Sequence, residues 1–130
     1  MKKIFCFFLL AIIASGCGES KGQGLEAKIK ANEEAAQKLC QVYADTLNLY
    51  QESNQRFPLS FKQLGNEGYL SSSNSYDRLI LLSLPVQGYS YRYAYIDDNH
   101  FILEASPAHR GVTGNHTFRI NAAGELEVVP

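Results

Sequence analysis

The chain has 130 residues, with 12 basic against 13 acidic side chains, three cysteines and no tryptophan. This length fits one small domain and excludes a multidomain enzyme. Hydrophobic residues make up 45% and charged residues 19%, an ordinary globular composition that excludes wholesale disorder. The near-neutral charge balance argues against a polybasic nucleic-acid binder, so we expect no nucleic-acid partner.

The first sixteen residues are typical of an export signal. Lys2 and Lys3 precede an uncharged stretch from Ile4 to Gly16, which is apolar as far as Ala14. The stretch is shorter than the roughly 20 apolar residues that a helix needs to cross a bilayer. The pattern therefore predicts export followed by cleavage.

The signal ends in Ala14-Ser15-Gly16-Cys17, which resembles the lipobox of bacterial lipoproteins, although leucine is commoner at the Ala14 position. The resemblance implies that the Cys17 thiol accepts a diacylglycerol and that the acylated residue anchors the protein in a lipid bilayer. Gly18 follows in place of aspartate, which in a Gram-negative host implies the outer membrane rather than the inner one, facing the periplasm. An ordinary secretory signal that happens to contain Cys17 is the less favoured alternative.

A short polar segment follows the anchor. Gly18 to Gly24 is rich in Gly, Ser, Lys and Gln, which is typical of a flexible tether. With Cys6 removed and Cys17 acylated, Cys40 would be the remaining thiol, so we expect no internal disulfide. The predicted organisation in chain order is signal peptide 1–16, anchor and tether 17–24, and folded domain 25–130.

A long amphipathic helix is predicted from Leu25 to about Gln51. This segment contains no Pro or Gly and is dominated by good helix formers. Eight of its apolar residues fall within an arc of about 100°, the width of a core-facing stripe. They are Leu25, Ile29, Ala36, Leu39, Cys40, Tyr43, Leu47 and Tyr50. Cys40 belongs to this stripe, which favours a buried small hydrophobe over a reactive thiol.

A second apolar row lies roughly 100° around the same helix. It consists of Ala35, Val42 and Leu49, spaced by seven residues. The row could seat a neighbouring helix, which would make Val42 and Leu49 partner contacts. It could equally extend a broad buried face beneath a sheet, and the two interpretations remain open.

Two shorter elements are predicted after the long helix. Ser60 and Gln63 have the spacing of a capping box, which predicts a short helical turn that Gly65 and Gly68 end. A polar loop from Ser71 to Ser75 follows. The apolar run Leu79 to Leu84 is then interpreted as a strand.

The remaining sequence predicts two hairpins. Tyr89, Tyr91, Tyr93 and Tyr95 share one face of a strand, and Asp97-Asp98-Asn99 forms a three-residue loop with Asn99 in the left-handed conformation. This register pairs Tyr95 with Phe101, Tyr93 with Leu103, and Arg92 with Glu104. Apolar side chains then face apolar side chains across the two strands, which favours a core role for the tyrosines over a ligand platform.

The second hairpin follows the same rule. A loop of Ala122-Ala123-Gly124 pairs Ile120 with Leu126, Phe118 with Val128, and Arg119 with Glu127. Its apolar face matches that of the first hairpin. The predicted fold class is therefore α+β, with a long N-terminal helix packed on an antiparallel sheet of about four strands.

Several segments in this order resemble the globular head of type IV pilins and type II secretion pseudopilins. They are Leu49-Tyr50-Gln51, residues 56–64, Gly68-Tyr69-Leu70, Tyr91-Arg92-Tyr93, residues 101–107, and Phe118-Arg119-Ile120-Asn121 with Gly124. The resemblance covers roughly residues 36–130 and implies a structural subunit. Pilins begin with a long apolar helix carrying a glutamate near its start, and here a lipobox stands instead. The combination resembles a pilin head on a lipid anchor.

No arrangement of residues indicates catalysis, so we expect neither an enzyme nor a cofactor. His100, His109 and His116 with Asp97 and Asp98 are the available metal ligands, but their spacing matches no compact ligand motif. Asp97-Asp98-Asn99 also offers oxygen ligands suited to calcium, yet a hairpin turn explains these residues better.

The loop from Ala108 to Asn115 contains His109 and Arg110, and we predict it to be the most mobile and partner-facing loop. A plain solvated connection is the favoured interpretation of the same residues. The leading functional hypothesis is a non-catalytic, lipid-anchored structural or interaction subunit linked to a pilus or secretion system. A periplasmic module that binds a small ligand or metal is the second.

Overall fold

The computed structural model describes residues 21–129. Three helices are followed by four strands: α1 (Lys21–Asn54), α2 (Phe61–Asn66), α3 (Ser75–Leu81), β1 (Tyr89–Asp97), β2 (His100–Pro107), β3 (Thr117–Asn121) and β4 (Leu126–Val129). The strands form one antiparallel sheet in the order β1-β2-β3-β4, and α1 packs on β2 and β3. The predicted α+β arrangement is confirmed.

Helix α1 is longer than predicted. It begins at Lys21, within the segment predicted as tether, because a helix that is already formed adds further turns at little cost. Its predicted core stripe is buried, with one exception. Leu25 is 42% exposed, and residues 24–28 are all exposed, so the first described turns extend past the packed part of the helix.

The capping signal before α2 is confirmed, with one difference in detail. Ser60 Oγ accepts a hydrogen bond from Gln63 N at 3.1 Å, which satisfies one free donor of the first turn. The Gln63 side chain reaches back to Leu59 N at 2.7 Å rather than to Ser60 N. Gln63 therefore fixes the chain one residue before the cap.

The strand predicted over Leu79 to Leu84 is wrong, because a helix occupies its first part. Asn74 caps α3 by accepting hydrogen bonds from Tyr76 N and Asp77 N. Within α3, Ile80 is buried at 5% exposure. A short apolar run has no period of its own, and the cap before it decides in favour of helix.

The predicted register of both hairpins is confirmed. Tyr95 faces Phe101, Tyr93 faces Leu103 and Arg92 faces Glu104 in the first hairpin. In the second, Ile120 faces Leu126, Phe118 faces Val128 and Arg119 faces Glu127, with Gly124 in the left-handed conformation at φ 83°.

The first turn differs from its prediction, since Asn99 does not adopt a positive φ. The register instead shifts between Tyr95 and Asp97, and Asp97 pairs with His100. The Asp97 carboxylate accepts hydrogen bonds from Asn99 N at 2.8 Å and lies 2.7 Å from His100 Nδ1. A bulge and a side-chain turn therefore replace the left-handed residue.

The core lies between α1 and the inner face of the sheet, and the tyrosines of β1 belong to it. Tyr89 is fully buried, while Tyr91, Tyr93 and Tyr95 are half-buried and pack against the core. The core interpretation of these residues is thus confirmed. Cys40 is also fully buried, and burial raises the pKa of its thiol to about 12, so the thiol is neutral and unreactive at ordinary pH.

Candidate functional site

The apolar row on α1 lies open to solvent. Val42 is 52% exposed and Leu49 is 56% exposed, while Ala35 is half-buried. The sheet covers the opposite side of the helix through Cys40, Leu47 and their neighbours. Of the two interpretations left open by the sequence, the broad buried face is therefore wrong, and an exposed apolar row remains.

The loop from Ala108 to Asn115 is held closed by its own side chains. Arg110 donates hydrogen bonds to Asn115 O at 2.7 Å and to Thr117 Oγ1 at 3.0 Å. Thr113 Oγ1 accepts a hydrogen bond from His109 N at 3.0 Å. His109 and Arg110 are exposed, but the Arg110 guanidinium is committed to the loop itself.

Helix α1 also holds this loop from outside. Asn32 Nδ2 donates to Thr113 O at 3.0 Å. Glu33 Oε2 accepts from Asn115 N at 2.8 Å and lies 2.9 Å from His116 Nδ1. Two of these contacts fall within the loop and the third on the residue that follows it, so the loop is held against the helix and is not mobile in the way expected.

Glu33 is the polar residue that sequence reasoning missed here. Partial burial raises its pKa, but the hydrogen bonds from Asn115 and His116 outweigh that cost, so the net pKa lies below its ordinary value of 4.5. Its partners stand 82 and 83 residues further along the chain. No local pattern in the sequence could have indicated that pairing.

The structure does not bring the predicted partner contacts together. Glu33, which marks the loop side of α1, and Val42 are nine residues apart and so lie about 180° apart around the helix at about 100° per residue. Val42 and Leu49 thus point away from His109 and Arg110. The two predicted contact regions would face different partners or different parts of one partner.

The outer face of the sheet carries a row of alternating charges. Arg92, Glu104, Arg119 and Glu127 stand side by side on β1 to β4 in the observed register. Arg119 Nη2 lies 3.1 Å from Glu104 Oε2, and Arg119 Nη1 lies 3.4 Å from Glu127 Oε2. Arg92 faces Glu104 in the register but forms no ion pair with any described carboxylate.

The candidate metal ligands lie apart in the described chain. His100 is beside Asp97, whereas Asp98 Oδ1 accepts a hydrogen bond from the Tyr95 hydroxyl at 2.7 Å. His116 is beside Glu33 and His109 lies in the loop. Within residues 21–129, no three His, Cys, Asp or Glu side chains gather closely enough to hold a metal ion.

The lipidation prediction concerns Cys17, which lies outside the described residues, as do the segment predicted as signal peptide and the first part of the predicted tether. In the part of the chain that the structure describes, the helices lack the combined length and apolar character needed to cross a bilayer.

Comparison with known proteins gives no relative from which a function could be taken. No family model matches the chain, and neither a curated protein nor a solved structure matches it.

Proposed function

We propose that this protein is a lipid-anchored subunit of the bacterial cell envelope that acts through protein contacts and not through catalysis. Acylation of Cys17 holds it at the membrane, with the outer membrane favoured, and the α+β domain faces the periplasm. Its role is structural, beside a pilus or secretion apparatus. The lipobox-like Ala14-Ser15-Gly16-Cys17 supports the anchor, and the pilin-like order of helix and hairpins supports the role.

The observation that carries the contact role is the exposed apolar row on α1. Val42 and Leu49 each leave more than half of their surface in water, although the same helix buries eight other apolar side chains. Exposing two apolar side chains on one helix face gains nothing for folding. A partner that covers this face would bury them and gain affinity from the same apolar area.

Position-specific crosslinking in cells tests this proposal. A photoreactive phenylalanine replaces Val42 or Leu49 in the full chain, and matched controls carry it at Lys30 or Gln41, which are also exposed but lie on the other flank of α1. We expect crosslinks to an envelope protein from positions 42 and 49 and not from positions 30 and 41. Equal crosslinking from all four positions would contradict a specific contact face.

The anchor is tested separately with Cys17→Ser. We expect this variant to lose acylation, measured by incorporation of labelled fatty acid, and to leave the membrane fraction. Cys6→Ser is the matched control, because Cys6 lies inside the predicted signal and should not affect either measurement. An unchanged distribution of the Cys17→Ser variant would contradict the lipid anchor.

A further inference from the structure

The free edge of β1 offers unpaired backbone groups. Strand β1 is the first strand of the sheet, with β2 on one side and no described strand along the other. Tyr89 exchanges backbone hydrogen bonds with Val86 on that free side, at 2.8 and 3.0 Å. On the β2 side it faces Pro107, which has no N–H to donate.

This pairing of Tyr89 fixes the direction of every following residue in the strand. Backbone groups in an antiparallel strand point alternately to its two edges. The N–H and C=O groups of Tyr91, Tyr93 and Tyr95 therefore point to the free edge, and those of Ser90 and Arg92 point to β2. The six edge groups of these tyrosines form no hydrogen bond with another described residue.

A groove of about 390 Å³ runs beside this edge. On the inner side of the sheet, α2 and α3 line it with the apolar side chains of Phe61, Ile80 and Leu81. Its charged lining consists of Lys62 and Arg92, with no carboxylate among the described residues that line it. Neither cation forms an ion pair with a described carboxylate.

We propose that the free edge of β1 binds an extended peptide segment of a partner protein, in which apolar residues alternate with acidic ones. The peptide adds a fifth strand, antiparallel to β1, in which the residues opposite Tyr91, Tyr93 and Tyr95 exchange backbone hydrogen bonds with them. Residues opposite these tyrosines point to the inner side, toward Phe61 and Leu81, and so are apolar. Residues between them point to the outer side, beside Arg92, and so are acidic.

A peptide fits this edge better than a second copy of the chain. Two copies joined edge to edge by a twofold axis would place their helical layers on the same side of a continuous sheet. Helices α2 and α3 line the groove at that edge, so those of the two copies would meet in the same space. A single extended segment occupies the groove without carrying such a layer. The inference deepens the proposed function by naming the class of partner, at a surface separate from Val42 and Leu49.

The test measures binding of synthetic seven-residue peptides to the full chain purified in detergent, by fluorescence anisotropy. Valine and glutamate alternate in the probe peptide, and a detergent sample without protein gives the background. We expect a dissociation constant below about 1 mM. N-methylation of the valines removes the donors that face β1 and should weaken binding at least about tenfold, because several hydrogen bonds are lost together. N-methylation of the glutamates alters donors that face away and should change affinity less than about threefold.

Charge reversal tests the acidic preference. Arg92→Glu should lower the affinity for the valine–glutamate peptide about threefold to tenfold and should make a valine–lysine peptide the better ligand. Arg78→Glu is the matched control, because Arg78 is an exposed cation of α3 that does not line the groove. We expect this variant to bind both peptides as the unmodified chain does.

Three outcomes would overturn the proposal: absence of binding by the valine–glutamate peptide, equal effects of the two N-methylated peptides, or equal effects of Arg92→Glu and Arg78→Glu. Sedimentation of the full chain alone completes the test. A dimer that Arg92→Glu dissociates and Arg78→Glu does not would assign the edge to a second copy and not to a peptide. None of these measurements depends on Cys17, Val42 or Leu49, so their failure would leave the crosslinking test of the proposed function unaffected.

Discussion

The polar groups of the loop between β2 and β3 are paired within the chain, whereas those along the free edge of β1 are unpaired among the described residues. In the loop, the Arg110 guanidinium, the Asn115 amide and the Thr113 carbonyl all have partners within the chain. Along the edge, the backbone groups of Tyr91, Tyr93 and Tyr95 and the charge of Arg92 have none among the described residues. The exposed loop of charged and small residues thus has its polar groups satisfied by the chain itself, while the strand of tyrosines keeps backbone groups available for pairing.

Contact surfaces in this molecule are better indicated by unpaired polar groups than by residue composition. The loop has the composition of a contact segment, because it contains glycine, histidine and arginine. The edge is nevertheless the more available surface, since unpaired backbone groups on a strand can pair with another chain. Variants of the loop should therefore lower the stability of the fold, and variants of the exposed surfaces should change it little.

Among the substitutions in the loop and along the edge, the largest effect is expected from Gly114→Ala in the closed loop. A Cβ at Gly114 would lie 2.6 Å from both Cε1 and Cζ of Tyr89, whose ring is fully buried and cannot withdraw. We expect a loss of about 2–3 kcal/mol in the free energy of unfolding, a typical cost of overpacking. Thermal denaturation should show a melting temperature lower by roughly 10 °C.

Gly24→Ala is the control for this substitution. Nothing lies within 4 Å of a Cβ at Gly24 in α1, so the same chemical change should stabilise the helix by up to about 1 kcal/mol. If Gly114→Ala melted at the temperature of the unmodified chain, the tight contact between the loop and Tyr89 would be refuted.

A smaller effect is expected from removing a single tyrosine hydroxyl, either that of Tyr89 beside the loop or that of Tyr91 on the free edge of β1. The Tyr89 hydroxyl donates to His116 O at 2.6 Å, whereas the buried Tyr91 hydroxyl has no partner among residues 21–129. Tyr89→Phe should cost about 1 kcal/mol because it leaves a carbonyl without its donor. Tyr91→Phe should leave stability unchanged or raise it slightly, since it removes an unsatisfied buried polar group. Denaturant unfolding of both variants measures the difference, and equal losses would contradict this assignment of partners.

The pH dependence of stability should report the contact between Glu33 and the loop. The pKa of Glu33 is lowered in the fold, so its contribution is present above the unfolded-state pKa and is lost as the pH falls through the lower folded-state pKa. Between about pH 6 and pH 3, the melting temperature of Glu33→Gln should therefore fall less than that of the unmodified chain. The neighbouring Glu34→Gln is the control and should follow the unmodified chain. Parallel curves for all three proteins would show that Glu33 does not anchor the loop.

The sequence predicts local and periodic features of this fold well and long-range pairings poorly. The hairpin registers follow from matching Tyr93 with Leu103 and Ile120 with Leu126, because a slip of one residue would turn apolar side chains to the wrong face. The helical state of α3 was missed because its cap, Asn74, lies outside the apolar run that suggested a strand.

The candidate site was predictable only in part, for the same reason. The period of α1 identified Val42 and Leu49 as a separate row, but whether that row is exposed depends on the width of the sheet. The free edge of β1 depends on the order of the strands and on the turn that pairs Tyr89 with Val86. Neither property is encoded in the period of a single element.

The smallest effect is expected from the double variant Val42→Ser with Leu49→Ser. Both side chains are more than half exposed, so replacing them removes little buried apolar area, and the free energy of unfolding should change by less than about 0.5 kcal/mol. The matched core variant Leu47→Ser, on the buried side of the same helix, should lose several kcal/mol. Chemical denaturation of the three proteins measures both effects. A large loss in the double variant would mean that the row is covered in the free protein and is not available to a partner. An unchanged stability would instead show that folding does not need the row, which leaves its apolar surface available for contact with a partner.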